Sequence, residues 1–274
     1  MSNRILIKTR IENKFTVITF ISVFMLGLIS WLMDSGIIPI LWQYDSDVTC
    51  TYKEYVFLMW DQTLCWEVFI DSMMRYISIT FPIIVSFSIS GFIEELNVYH
   101  VLGAFRKGDR KKGVIKAFVM QTVIGGMVVV IPLIMLSVAV DYFMYPAVDN
   151  WPGIGSILPD GFYYEHPLLV IIMIFILIYL PMMCAYAAMA LSIAIFTRDK
   201  VKMILIPEAI YLFMNYVSIY TGGFSMTSAI DVMECYNTES SFGDLMIELI
   251  IQIMLAAVCI FIAFKVDREK KIVQ

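Results

Sequence analysis

A few side chains in this 274-residue chain have the type and spacing to do chemistry, and most lie within or beside long apolar runs. Glu208 follows Pro207 inside such a run, where a carboxyl costs about 3 kcal/mol unless it is paired, protonated or wetted, so gating and structural pairing are both open to it. It lies about one turn from the cytosolic end of its expected span. Glu248 and Gln252 are four apart in the last apolar run, a spacing that puts both on one helix face, turned toward a bundle interior. Asp71 and Arg75 are also four apart, in the order that favours an ion pair on a helix. Cys50 and Cys65 make the natural disulfide pair on an oxidising outer face, and closing that loop would remove about 3 kcal/mol of unfolded-state entropy.

Several chemistries are excluded. The two histidines, His100 and His166, are expected on opposite membrane faces, and no Cys/His spacing makes a zinc site. No G-x-x-x-x-G-K-[ST] occurs, so the chain has no P-loop of its own for ATP phosphates. Gly153-Ile154-Gly155-Ser156 lacks a partnering histidine on a span. Glu94-Glu95 is followed by Tyr99, where the CAAX-type intramembrane proteases carry an arginine. With no catalytic constellation at one membrane depth, the chain is expected not to be an enzyme.

The elements that position these residues follow from composition, which is 60% hydrophobic and 16% charged. Apolar runs of this length specify an all-α integral membrane protein, a single transmembrane domain over residues 1–274. Six spans are expected, at about 15–33, 70–93, 113–140, 168–196, 203–224 and 245–264. The first is read as a retained span, because its apolar core is too long for a removable signal. Of the 19 lysines and arginines, all but Lys53 and Arg75 fall in the N-terminus, the 106–116 stretch, the 198–202 loop and the C-terminal tail. That bias puts both termini and the central stretch on the cytoplasmic side of a bacterial cytoplasmic membrane.

The segments from 34 to 69 and from 225 to 244 are acidic, and the first carries Trp42, Tyr44, Trp60 and Trp66, which favour the headgroup layer. Pro146, Pro152, Gly153, Gly155, Pro159 and Gly161 exclude a long helix between the third and fourth spans. Ala185, Ala188, Ala190, Ser192 and Ala194 give the fourth span small-xxx-small packing faces, and tilt or a bend at Pro181 would accommodate its excess length.

The longest charged interruption is residues 92–116. Val98, Val101, Leu102 and Phe105 stand at i, i+3, i+4 and i+7, one face of a helix suited to docking, and a basic cluster beginning at Arg106 follows. This arrangement resembles the permease subunits of the type-2 ABC exporter family, with Glu94-Glu95, Leu102, Arg106, Arg110 and Lys116 in the places of that family's cytosolic segment. The family's Leu-Pro-x-x-Arg pattern is absent, Ala104-Phe105 and Gly108-Asp109 standing instead. The resemblance implies a coupling helix between spans 2 and 3, formed around Glu94, Glu95, Val98, Val101, Leu102, Phe105 and Arg106. It further implies a separate cytosolic ATPase holding ATP and Mg, a second permease subunit, and export of a peptide, drug or lipid-linked molecule. No cofactor on this chain and no nucleic-acid partner are expected. The alternatives are an ATPase-independent secondary carrier or immunity-type membrane protein, and last an intramembrane enzyme.

Overall fold

Long runs of Leu, Ile, Val, Met and Phe can enter a bilayer only if every backbone N–H and C=O is satisfied within the segment, which for a single run means a helix. The computed structural model describes residues 13–38, 51–96, 110–149, 157–220, 229–235 and 242–270. Among them six helices are long and apolar enough to cross a membrane: α1 (Lys14–Asp34), α3 (Trp66–Leu96), α4 (Arg110–Val140), α6 (Pro167–Thr197), α7 (Lys200–Tyr220) and α9 (Phe242–Lys270). The short helices α2 (Tyr52–Thr63), α5 (Phe162–Glu165) and α8 (Ala229–Met233) lie between them. The chain is an all-α, multi-pass membrane protein.

Several helices overrun their expected bounds because they continue through polar residues at their ends. The 29 residues of α9 are about 43 Å long at 1.5 Å per residue, close to the full bilayer thickness. The second span starts at Trp66 rather than near residue 70, and the fifth starts at Lys200 rather than 203. Glu208 is therefore more than two turns from the start of its helix.

The centre of the bundle is α6, which packs against α3, α4, α7 and α9, while α1 packs on α3 and α4. Residues 185 to 192 of α6 are all buried, the expected small positions Ala185, Ala188, Ala190 and Ser192 among them. Close approach to α4 depends on Gly125 and Gly126: a Cβ on Gly126 would sit 2.7 Å from Cys184 Sγ, and one on Gly125 would sit 3.1 Å from Ala187 Cβ. On the opposite side, Ile18, Ile21, Met25 and Ile29 of α1 form an exposed apolar stripe of the kind that faces acyl chains.

Two prolines act through the backbone groups they leave unbonded. Pro181 has no N–H for the carbonyl four residues back, and the helix is wound as a π-helix over Phe175–Tyr179 immediately before it. That widened turn takes up the mismatch where a bend was expected. Pro82 likewise withholds a donor from the Ser78 carbonyl, and there the Tyr211 hydroxyl of α7 donates instead.

Candidate functional site: a buried polar seam at mid-span

On α7, Glu208, Tyr211 and Asn215 are at i, i+3 and i+7, so one helix face carries three polar side chains. Tyr211 is fully buried, and its ring meets Phe81 edge-on at 5.0 Å and Tyr186 at 5.7 Å, with Phe81 and Tyr186 4.9 Å apart. The three rings bring α3, α6 and α7 together at one depth. The Tyr186 hydroxyl donates to Gln252 Oε1 on α9 at 3.1 Å. Gln252 is 0% exposed and Glu248, one turn away, 1%, so the interior orientation expected of this pair is what the fold gives them.

Glu208 lies on the α3 side of the seam, where the Ile83 backbone N–H faces its carboxyl group. Its Oε2 is buried with no hydrogen-bond partner, and so is Nε2 of Gln252. Two elements therefore bring unsatisfied polar atoms of opposite kind, an acceptor and a donor, to the neighbourhood of the same tyrosines. No group of three or more His, Cys, Asp or Glu suited to a metal ion occurs among the described residues.

Toward the acidic end, α8 is fastened to the seam by side chains. Asn215 Oδ1 accepts from the Ile230 N–H at 3.1 Å, and the Tyr179 hydroxyl donates to the Met233 carbonyl at 3.0 Å. Cys235, placed outside by its sequence position, is buried here with its Sγ 3.6 Å from the Tyr179 oxygen. Burial pushes its thiol up to about 12.

Beyond the seam Glu67 forms a separate polar node. It accepts from the Ala147 N–H at 3.1 Å, the Val148 N–H at 3.3 Å and the Tyr163 hydroxyl at 2.9 Å. Burial, and then the neighbouring Glu67 charge, push the Tyr163 phenol up. Leu64 and Trp66 exchange backbone hydrogen bonds with Tyr145 across Cys65, at 3.3 and 3.0 Å. Cys65 is buried there, and Cys50, the other end of the expected disulfide, is outside the described residues.

Arg75 does not join the seam. Its side chain is 62% exposed, and Nη1 is 4.0 Å from Asp34 of α1, which also accepts from Ser30 at 3.3 Å and Tyr76 at 3.5 Å. Asp71, the expected partner on the same helix, still acts on the Arg75 charge, and α1 adds Asp34, a carboxylate already held by two hydroxyls.

At the basic end, Glu94 Oε1 is 2.7 Å from Lys200 Nζ of α7, and Glu95 Oε1 accepts from Gln121 of α4 at 3.3 Å. Lys200 also stands 5.7 Å from the Phe15 ring of α1. Val98, Val101, Leu102, Phe105 and Arg106, the rest of the expected coupling helix, lie outside the described residues.

Sequence reasoning passed over Tyr186, Tyr211, Asn215, Glu67, Gln121 and Lys200 as site residues. The i, i+3, i+7 spacing of Glu208, Tyr211 and Asn215 was the available signal for the seam. For Glu67 no local signal exists, since its donors are at least 80 residues away.

Fold and seam together define a six-span membrane protein with a polar interior at one depth. Compared with family models, with curated proteins and with solved structures, the chain matches none of them.

Proposed function

We propose that the chain is the permease subunit of an ATP-driven exporter of the type-2 ABC kind. A cytosolic ATPase is its partner and holds ATP and Mg; a second permease subunit completes the substrate path. In this reading the basic end is cytoplasmic in a bacterial membrane, and the 97–109 segment is the surface that the ATPase grips. The observation that carries it is the double brace at the root of that segment: Glu94 to Lys200 on α7 and Glu95 to Gln121 on α4. Any displacement of the segment is thereby delivered to two spans at once, one of which carries the polar seam. A motor on another chain needs such a connection.

A second reading, an ATPase-independent carrier, draws its support from the seam itself, because intramembrane carboxyls commonly mark proton or ion paths.

Co-purification separates the two. A tagged wild-type chain extracted gently should bring down an ATPase, and Leu102→Asp should lose it, because an unpaired carboxylate at an apolar docking face costs several kcal/mol. Recovery of no ATPase by the wild-type chain would favour the carrier.

A further inference from the structure

We propose that Glu208 is a proton-binding site, loaded in the packed bundle and emptied when the seam between α3 and α7 opens to water. The inference rests on neither functional reading above and concerns the occupant of the seam.

Glu208 is half-buried as a residue, but its Oε2 is shielded from solvent and has no hydrogen-bond partner. An ionised carboxylate in that position would have one oxygen desolvated and unanswered, a far greater penalty than a neutral carboxyl pays. Of the groups near it only the Ile83 N–H offers a donor, and none brings a balancing charge. From α6 comes the Tyr186 phenol, from its own helix the Tyr211 phenol, and from α3 the Ile83 N–H. The acidic Glu234, just past α8, lies near Tyr211. None of these is a cation. The basic residues of α3 and α7 are engaged at the two ends: Arg75 with Asp34, Lys200 with Glu94 and Lys202 with Asp199.

The tyrosines are also committed elsewhere, since Tyr211 donates to the Ser78 carbonyl left by Pro82 and Tyr186 donates to Gln252. Neither hydroxyl hydrogen is left for Glu208. The neighbouring Gln252, fully buried with Nε2 unpartnered, is a second independent polar group left unsatisfied beside Tyr186. Among the described residues no free cation on α3 or α7 balances Glu208, and in this proposal the balancing charge is supplied by a proton.

The consequence is directional. Opening the seam hydrates Glu208 and lets the proton leave, so acidification favours the packed form and alkaline conditions favour the opened one. Ser78 and Tyr211 stand at the hinge of that change, because their bond joins α3 to α7 where Pro82 interrupts the ladder.

Infrared spectroscopy of the purified full-length chain in lipid nanodiscs tests this. At neutral pH the wild-type minus Glu208→Gln difference spectrum should contain the C=O band of a protonated carboxyl, downshifted in heavy water. A difference spectrum showing only carboxylate bands overturns the proposal. Should the Gln variant fail to fold, dicyclohexylcarbodiimide decides the matter on the wild-type chain. This reagent adds to protonated carboxyls in apolar surroundings, and peptide mass spectrometry should find its acylurea adduct on Glu208. Absence of that adduct at neutral pH then overturns the proposal. Either measurement is made without an ATPase, so its failure leaves the exporter reading standing, and loss of the exporter reading leaves the proton site standing.

Discussion

Glu67 and Glu208 are the same residue in two opposite settings. Glu67 has its oxygens answered by two backbone N–H groups and a phenol at 2.9–3.3 Å. Glu208 has one buried oxygen that nothing answers. A carboxylate given several donors becomes a structural tie: it is acceptor-only when ionised, and charge-assisted bonds are about twice as strong as neutral ones. A carboxyl denied them is far costlier to ionise than to keep neutral. The contrast lies in what surrounds the two glutamates, and the surroundings come from different elements: an irregular acidic-end segment with free N–H groups for Glu67, and helices that turn only the Ile83 N–H toward Glu208.

The largest effect should come from cutting the tie. Glu67→Ala removes every acceptor from Ala147, Val148 and Tyr163 and should cost about 3 kcal/mol, since bonds to a charged group contribute about 1.5–3 kcal/mol and the partners are left unsatisfied. Thermal unfolding in detergent measures the loss, and limited proteolysis should find new cleavage near residues 144–149. Glu67→Gln, which keeps one carbonyl acceptor, should lose less than half as much. Equal loss by both variants would mean that charge, rather than acceptor number, holds the acidic end together.

The six spans were legible because the bilayer leaves apolar segments one way to satisfy their backbones, and Glu248 with Gln252 was legible because a four-residue spacing fixes a shared face. The partners were not. Glu67 sits among aromatic and acidic residues that read as a headgroup-layer loop, and its donors come from a segment two helices further along the chain. Arg75 shows the limit of local rules more sharply. Asp71 has the correct spacing and the correct order on the same helix and does act on Arg75, yet the ion pair within 4.0 Å is to Asp34 from α1. A helix-surface rule worth a few tenths of a kcal/mol yields readily to a neighbour that tertiary packing has already positioned. Tyr186 and Tyr211 were invisible for a related reason: within an apolar span, tyrosine is as plausible a lipid-facing or core residue as a member of a polar site.

A smaller effect is expected inside the seam, and it sharpens the comparison by asking what an isolated polar bond there contributes. Gln252→Leu strands the Tyr186 hydroxyl and should cost about 1 kcal/mol, within the range for interhelical hydrogen bonds in membranes. Adding Tyr186→Phe removes the stranded group and should recover most of that loss, because deleting both partners of a buried bond can be nearly neutral. Double-mutant thermal unfolding reads the coupling. If the double variant is as unstable as the sum of the singles, the bond carries no coupling, and Gln252 is held by packing alone.

The smallest effect on stability should come from the basic end, although its effect on function should be large. Glu94 and Lys200 have side chains 67% and 43% exposed, so their pair, despite its 2.7 Å distance, should contribute less than about 1 kcal/mol to folding. Lys200→Glu is therefore expected to insert and fold normally while pushing the root of the 97–109 segment away from α7. In the proposed exporter, a brace that transmits force predicts that this variant keeps the proposed ATPase partner but loses the response of ATP hydrolysis to this chain. The charge-swapped pair, Glu94→Lys with Lys200→Glu, should regain part of it. Restoration would be incomplete, because Lys14 of α1 also favours a negative charge at position 94. ATP hydrolysis by the reconstituted complex at low salt is the measurement, since screening weakens an exposed pair. Unchanged coupling in Lys200→Glu would take α7, with its polar seam, off the path of force and leave Glu95 with Gln121 on α4 as the remaining brace among the described residues.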